Sequence, residues 1–326
     1  MNHDAEQVQL RKRIREFVDW KLYGMIVVVS DTSNFMNIDR GNIVRLHGED
    51  YLIRGDMYEP RFGLQDQPKF WVKRAIDLSD GSDKILKLVF HEKFVSHIGP
   101  LSVPCYRDPI KEANVLDLVS DDRRFMHGFS VNDDADNNIR IIDFIKGKTL
   151  YQHILELELP HEEYFHTEVP GILQNLVGCF QAIQFLHDNE LNHGDIRNDH
   201  IIIEKGTGAF RWIDFDLTQD YSDFDIWGLG NIVNFVIGLG IRSFQEVYHT
   251  DIYSQKVKES LTPDDASAFF KYRVMNLQKL FPYIPDQLNN VLMHYTLGAE
   301  EFYQTIDELI NDLEAAINVM PTTATG

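Results

Sequence analysis

The apolar positions of the chain change their spacing part-way along it. Between residues 42 and 90 they occur in short runs separated by turn-forming residues, a pattern typical of strands. Beyond Gly147 they recur every three or four residues, the period of helices. The sequence therefore predicts an α+β protein with an antiparallel sheet and one helix first, then a mainly helical body. We expect two lobes with a cleft between them.

The strand-forming region contains two predicted hairpins and one later strand. The predicted strands are Ile43–Leu46, Tyr51–Arg54, Lys69–Ile76, Lys84–Phe90 and Ile139–Ile145. The first two flank His47-Gly48-Glu49-Asp50, which has the length and glycine content of a hairpin loop. Asp108 followed by Pro109 is a typical helix start, so a helix is predicted over residues 110 to 119.

The helical body contains three strongly patterned segments. A helix that opens near Pro170 carries apolar residues on one face as far as Leu186, and residues 225 to 238 are apolar nearly all round, as in a buried helix. A last helix is predicted over 300 to 317, with Phe302 buried. We expect four regions: a helical extension (1–41), an N-lobe (42–145), a C-lobe (146–318) and a tail (319–326).

Composition narrows the classes of partner. Of the 326 residues, 51 are acidic and 31 are Lys or Arg, which gives a formal net charge of −20. Such a surface repels nucleic-acid phosphates and anionic lipids, so neither partner is expected. A basic run, residues 11 to 15, is interpreted as a solvated helix face. With two isolated cysteines, no leader-like start and no apolar stretch judged long enough to span a bilayer, a cytoplasmic location is predicted.

Four residues could supply the chemistry of phosphoryl transfer, which needs clamped phosphates, a placed metal and an oriented hydroxyl. Lys87 lies in a strand between apolar neighbours, and Glu112 in the following helix could pair with it. Asp195 follows a long helix and could accept a hydrogen bond from an acceptor hydroxyl. Asp214 lies at a strand end, where its oxygens could bind a hard divalent ion.

The motifs around these residues resemble the protein-kinase-like superfamily. His193-Gly194-Asp195 is similar to the catalytic loop, written H-R-D in protein kinases and H-G-D in aminoglycoside phosphotransferases. Ile213-Asp214-Phe215 resembles the metal-binding D-F-G segment, and residues 225 to 230 resemble the helix that supports the catalytic loop. Ile85-Leu86-Lys87 resembles the end of the V-A-I-K strand, and residues 142 to 147 look like the hinge.

The resemblance implies a bilobal kinase-like fold that uses ATP with Mg²⁺ or Mn²⁺. The γ-phosphate would pass to a hydroxyl of a protein or a small molecule. Asp195 would act as base or as orienter of the hydroxyl, Asp214 as metal ligand, and Lys87 with Glu112 as phosphate clamp. Asp225 would have a structural role, since its counterpart holds the backbone of the catalytic loop.

Other candidate nucleotide contacts lie in two segments. Residues 55 to 63 correspond to the turn that covers the nucleotide; Gly55 and Gly63 are present, but the G-x-G-x-x-G spacing is not. Arg61 could reach a phosphate there. In the hinge-like segment, Asp143 and Ile145 are the candidates. Lys69, Lys73 and Arg74 are interpreted as a solvated strand face.

Three substitutions distinguish the chain from the kinase pattern near the metal. His200 stands where the metal-binding asparagine would fall; it could bind Mn²⁺, contact a water on Mg²⁺, or mark lost activity. Asp216 replaces the glycine of D-F-G and would face the same way as Asp214 if the strand continued, which makes it either a third ligand or a surface acid. Arg197 could contact the transferred phosphate or be an ordinary surface arginine.

The spacing after Asp214 indicates an atypical member. Ten residues separate Asp214 from Asp225, too few for an activation segment, and A-P-E does not occur. This shortness is similar to aminoglycoside, choline and RIO kinases. The motifs together resemble an atypical bacterial-type Ser/Thr kinase-like or aminoglycoside-phosphotransferase-like protein. The alternative is a pseudokinase that senses nucleotide or serves as a scaffold.

Overall fold

The computed structural model describes residues 3–59, 67–98, 101–219 and 224–320. They form an α+β protein that divides into two compact units. The first unit comprises Met1–Glu92 and Arg107–Ile145, and the second comprises Lys93–Tyr106 and Lys146–Gly326. The class of the fold is the predicted one, and it is compatible with a bilobal kinase-like architecture.

The strands and helices are numbered in chain order. The described strands are β1 (Val28–Val29), β2 (Ile43–Leu46), β3 (Glu49–Glu59), β4 (Gln67–Asp77), β5 (Asp83–Lys87), β6 (Lys93–Ile98), β7 (Leu101–Arg107), β8 (Gly128–Asn132), β9 (Asn138–Asp143), β10 (Gly147–Thr149), β11 (Ile201–Glu204), β12 (Phe210–Trp212) and β13 (Leu217–Gln219). The described α-helices are α1 (His3–Phe17), α2 (Pro109–Leu118), α3 (Leu150–Leu155), α4 (His161–Thr167), α5 (Val169–Asp188), α6 (Phe224–Ile237), α7 (Phe244–His249), α8 (Gln255–Ser260), α9 (Asp286–Met293) and α10 (Ile306–Asn318).

The first unit is built on a seven-stranded sheet in the order β1-β2-β3-β4-β5-β9-β8. Neighbouring strands are antiparallel except for β1 and β2, which are parallel. The predicted turn between β2 and β3 shortens to His47 and Gly48, both at positive φ (50° and 87°), as a tight two-residue hairpin requires. Strand β5 ends at Lys87, so this lysine lies at the end of a strand rather than in its middle.

Helix α1 is an integral part of the first unit rather than a separate extension. Leu10 and Ile14 pack in a buried cluster with sheet residues. The sheet residues of that cluster are Ile43, Leu52 and Ile76, and Leu78, which follows β4, also belongs to it. The basic run of α1 is not simply solvated either, because the Arg13 guanidinium lies 2.7 Å from a carboxylate oxygen of buried Asp50. Burial of the apolar face that carries Leu10 and Ile14 explains why α1 packs against the sheet.

Helix α2 begins as predicted. The Asp108 side chain accepts hydrogen bonds from the backbone N–H groups of Ile110 and Lys111, and Pro109 occupies the first helical position. The helix packs against β8 and β9. This contact fixes the face of α2 that carries Glu112 over the sheet.

The second unit contains two small sheets. Strands β10, β11 and β12 form the first, and β13, β7 and β6 form the second. The hairpin of β6 and β7 was assigned to the N-lobe by its place in the chain. Val103 and Cys105 instead pack against Leu217, so these two residues are buried within the second unit.

Helix α5 forms the core of the second unit and packs against α4, α6 and α10. The buried Trp212 also contacts this helix, and its indole N–H donates to the Cys179 carbonyl oxygen at 2.9 Å. Among the described helices it is long and apolar enough to cross a membrane by length and composition, which the sequence reading overlooked. More than half of its most apolar window is buried inside the protein, as in the core helix of a globular domain.

The last helix begins later than predicted. Thr305 and Glu308 form a capping box, so α10 starts at Ile306 instead of residue 300. Phe302 precedes the helix and is 41% exposed, which makes its predicted burial wrong. The helical period of the apolar residues correctly predicted a helix here, but the capping box determines the residue at which it starts.

Candidate functional site

The loop of the second unit that contains His193, Gly194 and Asp195 is fixed by a buried aspartate. The Asp225 carboxylate, only 1% exposed, accepts hydrogen bonds from the backbone N–H groups of His193 (2.8 Å) and Gly194 (2.9 Å). His187 Nε2 lies 3.0 Å from the same carboxylate. Burial opposes ionisation of Asp225, but these hydrogen bonds and the histidine charges outweigh it and hold its pKa below the ordinary value. The predicted structural role of Asp225 is confirmed.

Two glycines allow the close contact between α6 and this loop. Gly194 adopts φ 84°, a conformation that favours glycine. A Cβ atom at Gly228 would lie 2.4 Å from the Ile196 Cβ, so no larger residue fits there without displacing the loop. The Gln219 side chain also donates to the Gly194 carbonyl oxygen at 3.0 Å. The loop is therefore held from two sides.

His200 lies between the two predicted functional acids. Its Nδ1 is 2.8 Å from the Asp195 carbonyl oxygen, and because a carbonyl only accepts, Nδ1 must carry a hydrogen. In the neutral ring the lone pair is then on Nε2, which lies 3.6 Å from Asp214 Oδ2. Nδ1 is also 3.7 Å from Asp195 Oδ2. The structure thus brings Asp195, His200 and Asp214 together, with the imidazole 4% exposed.

Asp214 has an unusual backbone that the sequence does not reveal. Its φ is 70°, in the left-handed region that non-glycine residues rarely adopt and that is found at functional sites. Strand β12 has already ended at Trp212 and β13 begins at Leu217, so residues 213 to 216 are not extended strand.

The predicted metal ligands are Asp214, His200 and Asp216. Asp216 was interpreted either as a third ligand, on the same face as Asp214 if the strand continued, or as a surface acid. Asp216 is instead buried, at 3% exposure. Over the part of the chain that the structure describes, no group of three or more His, Cys, Asp or Glu side chains has the arrangement of a metal site. His200 and Asp214 remain as a close pair.

The electrostatic environment separates Asp195 from its neighbours. Desolvation by the surrounding protein raises the pKa of Asp195. The charges of His200 and Arg197 lower it, but only in part. About a quarter of its side-chain surface (26%) is nevertheless accessible. Burial also opposes ionisation of Asp199, but the charges of His200 and Arg197 and hydrogen bonds from Arg197 lower its pKa. Asp195 is the acid in this loop that combines access with raised proton affinity.

Arg197 is engaged by a neighbouring acid. Its Nε and NH2 atoms lie 2.9 and 2.5 Å from the two carboxylate oxygens of Asp199. Its NH1 atom lies 4.0 Å from Asp195 Oδ2. The guanidinium is thus held beside Asp195 by a two-point contact, and its contact with a transferred phosphate stays a prediction.

The lysine and glutamate of the first unit form the predicted pair. Lys87 Nζ lies 2.7 Å from Glu112 Oε1, and both side chains are almost inaccessible to solvent. A third residue, which the sequence analysis missed, joins them: Arg140 Nε lies 3.2 Å from Glu112 Oε2. The available signal was an arginine inside the apolar run Ile139–Ile142, where a charged residue requires a buried partner.

The hinge-like residues make contacts within the first unit. Lys84 Nζ lies 2.6 Å from Asp143 Oδ1, and the Asp143 N–H donates to the His127 carbonyl oxygen at 2.9 Å. The next residue, Phe144, lies under the Arg74 guanidinium, 4.4 Å from the ring centroid. Ile145 is half-buried. Nucleotide contacts by Asp143 and Ile145 stay predictions.

Strand β4 corrects one interpretation of the sequence. Lys73 was expected on a solvated face, but it is 2% exposed and its ammonium lies 2.6 Å from Asp56 Oδ1. Strand register explains this, because Lys73 is opposite Leu86, which belongs to the sheet core. Gly55 (φ 142°) lies at a bulge between β3 and β4. Gly63 and Arg61 fall outside the described residues.

Comparison with known proteins points to kinases. No family model matches the chain. A putative ribosomal protein S6 kinase alpha-2 of Caenorhabditis elegans is 24% identical over 150 residues, which are 45% of this chain and 17% of that protein. The sperm motility kinase Tcr mutant form of Mus musculus is 22% identical over 191 residues, 49% of this chain and 38% of that protein. A probable serine/threonine-protein kinase fnkE of Dictyostelium discoideum is 24% identical over 112 residues, 33% of this chain and 8% of that protein.

The matches support a relation to the protein-kinase-like superfamily. They do not support the bacterial-type or aminoglycoside-phosphotransferase subtype that the short spacing after Asp214 suggested. The chain spans less than two-fifths of the length of each of these relatives.

Proposed function

We propose that the protein is an ATP-dependent phosphotransferase that transfers the γ-phosphate to a hydroxyl group of a protein or a small molecule. The observation that carries the proposal is the arrangement of Asp195 and Asp214 around His200 on a loop that Asp225 holds by two backbone N–H groups. Distant kinase similarity supports the same class of reaction.

Asp195 would orient the acceptor hydroxyl and take its proton. Its carboxylate is partly accessible, and its raised pKa increases its affinity for a proton relative to an ordinary aspartate. Arg197, held beside Asp195 by Asp199, adds positive charge where the acceptor and phosphate would meet. Asp195 would therefore position the reacting hydroxyl and accept its proton, beside the positive charge of Arg197.

The residues next to Asp195 fit a divalent metal of the softer kind. Asp214 offers carboxylate oxygen, and the tautomer of His200 leaves the Nε2 lone pair on the side of Asp214. Two ligand atoms about 2.1 Å from one ion lie roughly 3–3.5 Å apart, near the observed 3.6 Å. The metal, when bound with ATP, supplies neutralisation of phosphate charge. A nitrogen ligand favours Mn²⁺ over Mg²⁺.

In the first unit, Lys87 would bind phosphate oxygens. Its ammonium is buried and held at 2.7 Å by Glu112, so it is oriented before a nucleotide arrives. Gly55 is a further candidate for the phosphate-covering turn, and Asp143 and Ile145 are candidates for the base. The strongly acidic composition supports an acceptor other than nucleic acid.

A second candidate, a pseudokinase that binds nucleotide or serves as a scaffold, is favoured by His200 itself. If the imidazole is protonated, Nε2 carries a hydrogen at 3.6 Å from Asp214 Oδ2 and can pair with the carboxylate that would otherwise bind metal. The ring would then occupy the position of a cation.

Thermal unfolding with ATP and each metal, followed by transfer assays, distinguishes the candidates. For the kinase we expect stabilisation by ATP with Mn²⁺ exceeding that with Mg²⁺, and transfer of labelled phosphate to protein itself, generic proteins or small alcohols. In His200→Asn the preference should move toward Mg²⁺. Stabilisation without transfer or hydrolysis would favour the sensor, and no stabilisation by either metal–nucleotide pair would favour the scaffold.

A further inference from the structure

Three charged side chains form a buried triad in the first unit. In the antiparallel pair of β5 and β9, Lys87 lies directly opposite Arg140, so the two side chains emerge on the same face of the sheet. Glu112 reaches this face from α2. Its Oε1 lies 2.7 Å from Lys87 Nζ and its Oε2 lies 3.2 Å from Arg140 Nε. The side-chain exposures of Lys87, Glu112 and Arg140 are 7%, 0% and 2%.

Arg140 is held independently of the other two members. Its NH1 donates to the Asn138 carbonyl oxygen at 2.7 Å, and its NH2 donates to the Leu88 carbonyl oxygen at 3.4 Å. Both acceptors belong to the backbone of the sheet region. The guanidinium therefore has a fixed position whether or not Lys87 remains beside Glu112.

The charge balance of the triad explains why a second cation matters. A buried carboxylate that loses its counter-ion is strongly destabilised. If the Lys87 ammonium were shared between Glu112 and an anion, a simple lysine–glutamate pair would leave the carboxylate only partly compensated. With Arg140 in place, Glu112 keeps a charged hydrogen-bond donor on its other oxygen.

We propose that Arg140 is a positioning residue that keeps the Glu112 carboxylate charged and oriented, so that Lys87 can contact a phosphate while it stays paired with this carboxylate. The proposal rests on the proposed role of Lys87 as phosphate clamp. Arg140 itself does not contact the ligand; it acts through Glu112. A purely structural arginine would affect unfolding but not nucleotide affinity.

The test is a double-variant cycle on nucleotide affinity, measured by calorimetry with a non-hydrolysable ATP analogue and Mn²⁺. We expect Arg140→Met to weaken binding by about tenfold and Arg140→Lys, which keeps the charge, by about threefold. In the Glu112→Gln background, Arg140→Met should change affinity by less than about twofold, because its route of action is already removed. Arg124→Met, which removes a charge whose partner is Asp122 in the same unit, is the matched control and should bind as the parent protein.

Thermal unfolding shows which variants are folded, and only folded variants enter the cycle. Unchanged affinity in folded Arg140→Met, or effects of Arg140→Met and Glu112→Gln that multiply, would overturn the positioning role.

A second readout separates this proposal from the proposed function. The rate at which an amine-reactive acylating reagent labels Lys87, followed by mass spectrometry of its peptide, does not depend on nucleotide binding. Arg140→Met should change that rate at least about threefold, because Lys87 is then the one remaining member of the two cations that can pair with Glu112. Arg124→Met should leave the rate unchanged. If the parent protein binds no nucleotide but the labelling rate changes, the phosphate-clamp function fails while the positioning contact stands. An unchanged labelling rate in folded Arg140→Met overturns the positioning role.

Discussion

Two aspartates of the second unit have pKa values that are shifted in opposite directions. Asp195 is part of the loop that follows α5, and Asp225 is hydrogen-bonded to the backbone of that loop. Asp225 is the more deeply buried, yet its pKa is held below the ordinary value, whereas the pKa of the partly accessible Asp195 is raised. The difference lies in their hydrogen bonds. Asp225 accepts from two backbone N–H groups and lies beside His187. The main opposing influence on Asp195 is charge at a greater distance, from His200 at 3.7 Å and Arg197 at 4.0 Å.

The comparison separates a carboxylate that shapes the backbone from one suited to chemistry. Backbone donors stabilise the ionised form of Asp225 and make protonation unfavourable. Asp195 lies in a desolvating environment with incomplete compensation, which is the condition that increases its affinity for a proton. We therefore expect substitution of Asp225 to affect folding first, and substitution of Asp195 to affect turnover first.

Asp195→Asn should produce the largest effect. An amide cannot take the hydroxyl proton, so phosphate transfer should fall by about a hundred- to ten-thousand-fold. Unfolding temperature should not fall, since the substitution removes a carboxylate whose ionisation is disfavoured in the folded protein. Transfer of labelled phosphate and thermal unfolding provide the two measurements.

The control for Asp195→Asn is Asp188→Asn, which neutralises an acid at the exposed end of α5. That variant should keep full turnover. Affinity for ATP should be retained in Asp195→Asn. Phosphate transfer at the parental rate by Asp195→Asn would contradict the base assignment.

Asp225→Asn should act on stability. One carboxylate oxygen becomes an NH₂ group facing donors, so the free energy of unfolding should fall by about 2–3 kcal/mol, measured by urea denaturation at pH 7. The pKa of Asp225 is lower in the folded chain than in the unfolded one. Its stabilising contribution is therefore present above about pH 4, the ordinary value, and is lost as pH falls through the folded pKa. The variant should show a flatter acid limb; an unchanged unfolding free energy would contradict the assignment.

Much of the fold follows from local pattern. Helical period predicted α5 and the buried α6, and the Asp108-Pro109 pair predicted the start of α2, because these signals depend on residues close in sequence. The Lys87–Glu112 pairing was also predictable, since its residue types and chain order match a known arrangement. Sequence patterns thus predicted the elements whose structure is determined by residues close together in the chain.

The features that were missed depend on distant residues. The β6–β7 hairpin is stabilised by contact with Leu217, more than a hundred positions away, so its unit could not be assigned locally. The positive φ of Asp214 breaks the extended conformation that the sequence pattern suggested for residues 213 to 216. Arg140 could be recognised as unusual, but its partner on α2 required the three-dimensional structure.

Gly228→Ala tests whether the loop's position depends on close packing as well as on Asp225. The new methyl group would meet Ile196 at 2.4 Å, so we expect a loss of about 1–2 kcal/mol in unfolding free energy and reduced turnover as Asp195 moves. Gly178→Ala is the matched control, because it lies within α5 with open space around its Cβ and should stabilise by up to about 1 kcal/mol. Equal behaviour of the two variants would show that the contact at Ile196 does not constrain the loop.

His161 tests whether a shifted pKa by itself indicates function. Burial lowers its pKa to about 4, the neutral ring stacks on Phe281 at 3.4 Å, and Nε2 donates to the Ile237 carbonyl oxygen while Nδ1 accepts from Tyr283. The unfolded chain binds a proton near pH 6.5 that the folded chain does not, so stability should fall by roughly 1–2 kcal/mol between pH 6.5 and 4, with allowance for partial exposure. His161→Phe keeps a ring against Phe281 and should flatten this decline, measured by urea denaturation across that range, while leaving phosphate transfer per folded molecule unchanged. If turnover fell along with the slope, His161 would belong with Asp195 as a group of the reaction, and the distinction between structural and chemical titrating groups would fail.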